Sequence, residues 1–129
     1  MSAVAFNHYN LRAPRELLDE LRNFYCEIVG LVQGQRPPFE SFGYWLYVGD
    51  QCVLHLSQAA PDEVRRTDVA TTFDHVAFTC TDRVQMEAHL KQRNIPFRAG
   101  RVPALGISQL FIKDPAGNRV ELSFAGDQA

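Results

Sequence analysis

Apolar positions along this chain switch between two periods, and the order of the switches repeats. AFNHYNLRA, residues 5–13, alternates as a half-buried strand does. In PRELLDELRNFYCEIVG, residues 14–30, Leu17, Leu18, Leu21, Tyr25 and Ile28 recur at helical spacing. Pro14 suits the first helical turn, and Gly30 suits the left-handed residue past its end. LVQGQRP predicts a short strand running into a Pro-rich bend, and YWLYV and QCVLHLS predict two strands around the tight turn Gly49-Asp50. The order is β-α-β-β-β.

The second half runs through the same order. FDHVAFTC reads as a strand, and DRVQMEAHLKQRN as a helix in which Asp82 and Gln85 have capping-box spacing. IPFRAGRV and SQLFI follow as strands, then the turn KDPAGN and the strand RVELSF. The chain is therefore expected to be α+β: two βαβββ modules in tandem within a single domain spanning 1–129. Module one is 1–57, module two is 73–129, and the polar stretch 58–72 between them reads as a surface linker without a pattern of its own.

Strand alternation assigns faces to the polar residues inside these modules. Glu121 shares a face with Arg119 and Ser123, opposite Val120, Leu122 and Phe124. His55 lies with Val53 and Ser57, opposite Cys52, Leu54 and Leu56. His8 lies with Phe6 and Asn10, and His75 with Phe73, Ala77 and Thr79. The apolar faces pack under the helices, so all four residues fall on the faces that the helices leave open. If each sheet curves around its open face, two of them side by side enclose a cleft.

The spacings agree between modules: 55 − 8 = 47 residues from His8 to His55, and 121 − 75 = 46 from His75 to Glu121. A lone strand histidine is usually a structural residue. Three of the four histidines plus one glutamate at the equivalent positions of both repeats make a His/His/His/Glu set suited to a divalent metal. His89, in the second helix without a repeat partner, reads as structural.

Composition narrows the context. With 129 residues, 46% of them hydrophobic, the chain buries one proper core. A net charge of −2 and no basic stripe argue against nucleic acid as a partner. No stretch approaches the roughly 18 apolar residues of a membrane span, and MSAVAFNHYN lacks the features of a signal peptide. Cys26, Cys52 and Cys80 are odd in number and widely spaced among apolar neighbours, which predicts buried free thiols and a cytoplasmic protein.

The first-strand histidines of FNHYNL and FDHVAF, the helix end FYCEIVGL, the hairpin into VLHL and the ending FIKDPAGNRVELSF together resemble the vicinal oxygen chelate superfamily. That superfamily includes glyoxalase I, extradiol ring-cleaving dioxygenases, fosfomycin-resistance enzymes and bleomycin-binding proteins. The resemblance implies paired βαβββ modules forming a curved mixed sheet around a metal-binding cleft. His8, His75 and Glu121 match the invariable ligands, whereas the position of His55 varies and is a glutamate in glyoxalase I.

The chemistry so implied is that of a divalent ion, Fe, Mn, Ni, Zn or Co, binding a small substrate through adjacent oxygens. A glyoxalase-like lyase or isomerase needs a base to move a proton between carbons, and Glu121 is the carboxylate available. In a ring-cleaving dioxygenase, His8, His75 and Glu121 form the two-histidine, one-carboxylate triad with His55 as a nearby acid or base. Arg36 and Arg101 are candidate partners for a substrate carboxylate, and Tyr44 and Tyr47 candidate hydroxyl donors; Trp45, alternate to Tyr44, is assigned to the core. The alternative is a sequestering protein of the bleomycin-resistance type, without chemistry. The resemblance also implies a homodimer.

Overall fold

A computed structural model describes residues 1–126. Its contacts divide the chain into two compact units, Met1–Arg66 and a second that begins at Thr67, so the boundary falls within the expected linker. Each unit is one βαβββ module with a four-stranded mixed sheet, and the protein is α+β.

In unit one, β1 (Tyr9–Ala13) leads through Pro14 into α1 (Arg15–Phe24). Pro14 stands at the N-cap, just ahead of the first turn rather than in it, because its extended backbone (ψ 155°) precedes the helical residues. The helix ends in a wider π-helical turn, Tyr25–Val29, closed by Gly30 at φ 97°, a left-handed geometry that glycine adopts without strain. Leu18, Leu21, Phe24, Tyr25 and Ile28 are buried, so the predicted helical stripe is the packing face. β2 (Val32–Gly34), β3 (Gly43–Val48) and β4 (Gln51–Gln58) complete the sheet in the order β1-β4-β3-β2. β1 runs parallel to β4, and α1 packs over β4, β1 and β3. Leu54 and Leu56 of β4 and Leu46 of β3 are fully enclosed beneath it.

Unit two repeats the plan with β5 (Val76–Cys80), α2 (Arg83–Gln92), β6 (Arg98–Val102), β7 (Ile107–Lys113) and β8 (Arg119–Ala125), in the order β5-β8-β7-β6. Asp82 caps α2, its Oδ1 accepting from the Gln85 backbone N–H at 3.2 Å, which is the half of the capping box that the aspartate supplies. Leu110, Ile112, Val120, Leu122 and Phe124 form the buried face of β7 and β8. The turn DPAGN between these strands is organised by the buried Asp114, whose Oδ1 accepts from the N–H groups of Ala116 and Asn118 at 2.9 Å each. Among the described residues, no helix is long and apolar enough to cross a membrane. The three cysteines are free, as expected, but only half-buried, and burial pushes each thiol up.

The linker is tied down where the sequence showed no pattern. Glu63 accepts from Arg12 Nε at 2.8 and 3.0 Å, from Arg65 and from the Ala60 N–H. On the other side of the boundary, the Asp68 N–H donates to the Ala116 carbonyl at 2.9 Å, seating the chain on the DPAGN turn. Hydrogen bonds from Arg12 and Arg65 bring the Glu63 carboxyl down from its ordinary 4.5 to about 2. Because the folded value is the lower one, this contribution is complete above pH 4.5 and is lost as pH falls toward 2. Acid unfolding of Glu63→Gln, followed by circular dichroism, is expected to depend less steeply on pH across that window than the parent protein. Parallel curves would remove Glu63 from the acid response.

Candidate functional site

His8 and His75 each stand at the residue before a strand rather than inside one, as β1 begins at Tyr9 and β5 at Val76. Freed from the ladder, each ring is set by its neighbour in sequence. His8 Nδ1 lies 2.6 Å from Asn7 Oδ1, and His75 Nδ1 lies 2.7 Å from Asp74 Oδ2. Amide and carboxylate oxygens only accept, so Nδ1 is the donor in both rings and Nε2 is the nitrogen left for a ligand.

The parallel strand pairs complete the equivalence. Asn10 registers with His55 and Ala77 with Glu121, so each first-strand histidine, two residues earlier, reaches the same face as the fourth-strand residue. In unit one the His8 and His55 rings stack at 3.7 Å, 16° from parallel. In unit two His75 Nε2 stands 3.3 Å from Glu121 Oε1, and the Glu121 side chain is only 12% exposed. Among the described residues, no three or more His, Cys, Asp or Glu come together into a group that could hold a metal ion. What each unit presents is a pair.

Burial, the neighbouring His8 and the charge of Arg36 pull His55 below the ordinary imidazole range. The hydrogen bond from His75, with a lesser contribution from the Arg119 charge, holds Asp74 below the usual carboxylate range. Arg119 Nη1 is 3.5 Å from Asp74 Oδ2.

Two aromatic residues sit directly across the ladder from the fourth-strand positions, and sequence reading did not select them for the site. Trp45 registers with His55 and stacks on it at 4.1 Å and 10°, so His55 is held between Trp45 and His8. Phe111 registers with Glu121 in the same way. The signal was available as an equal spacing: 55 − 45 and 121 − 111 are both 10.

The placement of Trp45 exchanges the roles expected of it and Tyr44. Tyr44 is the buried residue, on the helix side, with its hydroxyl donating to Asp19 Oδ1 of α1 at 2.6 Å. Tyr47 shares the Trp45 face beyond a register shift in the ladder, but its hydroxyl donates to the Gln35 carbonyl at 2.5 Å. Arg36 lies near enough to act on His55, with its guanidinium over the Phe39 ring and Nη1 donating to the Ser41 carbonyl. Arg101 registers with the buried Ser108, which places it on the face opposite to Phe111 and Glu121.

Comparison with known proteins agrees with this architecture. The fold matches a glyoxalase family protein of Bacillus anthracis with a TM-score of 0.72 and 21% identity, over 97% of this chain and 98% of that one. It matches lactoylglutathione lyase of Agrobacterium tumefaciens with a TM-score of 0.65 and 24% identity, over 96% of each chain. At these identities the likeness is one of fold. A protein of Arabidopsis thaliana, glyoxylase I 4, is 31% identical over 110 residues, 81% of this chain, and the match spans 63% of that relative's length. The family model matches residues 5–122, nearly all of both modules, and the chain belongs to the glyoxalase/bleomycin resistance protein/dioxygenase superfamily.

Proposed function

We propose that the protein is a divalent-metal-dependent enzyme acting on a small molecule that binds the ion through adjacent oxygens. The gap between His75 and Glu121 carries this reading. With Nδ1 donating to Asp74, His75 turns Nε2 toward a Glu121 oxygen 3.3 Å away. A ring nitrogen and a carboxylate oxygen so placed need a proton or a cation between them. Donors about 2.1 Å from one ion and at right angles stand about 3 Å apart, so the separation suits adjacent ligands. His8, prepared by Asn7 as His75 is by Asp74, would supply a further imidazole. His8, His75 and Glu121 are the residues that would hold the ion, with His55 as a fourth donor or an acid–base partner. Imidazole-rich sites with one carboxylate suit Fe, Mn, Ni, Zn and Co.

When bound, the ion supplies Lewis acidity that holds negative charge developing on a substrate oxygen. Glu121 accepts the proton from the adjacent C–H at a carboxylate oxygen and returns it to the neighbouring carbon. His55 exchanges an O–H proton at a ring nitrogen. Trp45 covers one face of the His55 ring. Between lyase or isomerase chemistry and ring-cleaving oxygenation, the 31% identity to a protein named glyoxylase I 4 supports the former.

Chelator-stripped protein offered Fe(II), Mn(II), Ni(II), Zn(II) and Co(II) in turn is expected to retain about one ion per chain, read by mass spectrometry of the eluted metal. His75→Ala and Glu121→Ala are expected to lose most of it. Refusal of all five ions by the parent protein would sink this reading. Asp74→Ala, which releases the His75 ring, is expected to weaken the retained ion about 10- to 100-fold in chelator competition. An unchanged affinity would leave Asp74 no part in holding the ring.

A second reading, sequestration of a drug-like molecule without chemistry, draws on the aromatic surface formed by Trp45 and Phe39, 6.1 Å apart. It predicts ligand binding that survives chelation. The homodimer expected from the resemblance is tested by light scattering, and a monomer mass would refute it.

A further inference from the structure

Unit two contains a cavity of about 620 Å³ on the sheet side that carries Glu121. Its lining includes Arg98, Lys113 and Arg119, with no acidic residue, and Ile95 and Phe97 among its apolar walls. Phe111, directly across the ladder from Glu121, is also in the lining. The guanidinium of Arg98, from β6, lies 4.5 Å from the Phe111 ring centre, and that of Arg119, from β8, lies 4.7 Å from it. These strands flank β7 on its two sides, so one phenyl ring gathers two cations, and Lys113 registers with Arg119 beside them.

Like charges gathered in this way repel one another, and cation–π contacts offset that only in part. Arg119 has Asp74 at 3.5 Å. Among the described residues, no ion pair joins Arg98 or Lys113 to a carboxylate. Planar guanidiniums with unspent donors, together with an ammonium, match a carboxylate or phosphate. A net charge of −2 for the whole chain shows that this local excess is not the spill-over of a basic protein.

We propose that this cavity seats an anionic group, a carboxylate or a phosphate, belonging to the small molecule whose reacting oxygens are presented at Glu121. The assignment of that molecule as the substrate rests on the metal-enzyme reading; the anion site itself does not. The substrate class is then a small organic anion with its charge set a few ångströms from the reacting centre. The two arginines, gathered by Phe111, orient it, and Ile95 and Phe97 form the apolar wall for its carbon skeleton.

The test uses the chelator-stripped full chain, titrated calorimetrically with phenyl phosphate, phenylacetate and the neutral benzyl alcohol. The two anions are expected to bind saturably and to lose affinity as salt is raised, with benzyl alcohol at least about tenfold weaker. The stronger of the two anions identifies which group the site prefers. Arg98→Gln with Lys113→Gln, both exposed positions, is expected to cost the anions about tenfold or more and to leave benzyl alcohol unchanged. His75→Ala is expected to keep anion binding, so failure of the metal reading leaves this result standing. Equal binding of anions and alcohol, or an unaffected double variant with native circular dichroism, would overturn the anion site.

Discussion

Glu121→Gln is expected to slow turnover of an adjacent-oxygen substrate about 10²- to 10⁴-fold, the range for losing a positioned general base. The side chain is held in place by its strand: Val120 and Leu122 on either side are fully buried, and only 12% of the Glu121 side chain is exposed. The amide is isosteric and keeps an oxygen toward the ion, but it cannot accept a proton near neutral pH. The variant therefore separates the two duties assigned to one residue. Retained metal with a fall in kcat and little change in KM assigns the loss to proton transfer. Loss of metal assigns it to ligation. Full turnover with metal retained would exclude Glu121 as the base.

Leu122→Ala is expected to destabilise unit two by about 2–5 kcal/mol, as measured by urea unfolding, because truncating an enclosed leucine adds a cavity to the lost transfer energy. Leu122 has no exposed surface and registers with Leu110, which has none either. It also adjoins Glu121 in the chain while facing the other way, so the same strand carries the core on one side and the site on the other. A loss below about 1 kcal/mol would mean that the sheet collapses around the gap, and the placement of Glu121 would then be softer than its burial suggests.

The modules were legible in the sequence because strand alternation was written twice and the helical period was strong in α1, whereas α2, which buries only Arg83 and Leu90, was marked by its capping residue Asp82. Leu18, Leu21, Tyr25 and Ile28 bury as their spacing predicts, and Leu54, Leu56, Val120 and Leu122 fall on the helix side as alternation requires. The faces of His55 and Glu121 followed from the same alternation. What escaped was information carried by register. Trp45 is no more or less apolar than a core residue, and only its position across from His55 turns it toward the site. Tyr44, one residue away, takes the buried place because Asp19 of α1 can receive its hydroxyl. The linker looked patternless since its order comes from the ion pair between Glu63 and Arg12, 51 residues apart, which no local window contains. The roles of Asn7 and Asp74 hide for the opposite reason: each is adjacent to its histidine, too close in sequence to register as a contact.

Trp45 is the chain's single tryptophan, and it rests on the imidazole whose neighbour is His8. The protein therefore carries one indole fluorophore, which can be excited apart from the four tyrosines, and it reports on this imidazole stack. A paramagnetic ion such as Ni(II) arriving at His55 is expected to dim the indole emission, whereas Zn(II) leaves it bright. An ion held without His55 is expected to produce a smaller change, because His55 is the ring on which the indole stacks. The light leaving one residue thus distinguishes a four-donor site from a three-donor one without a label.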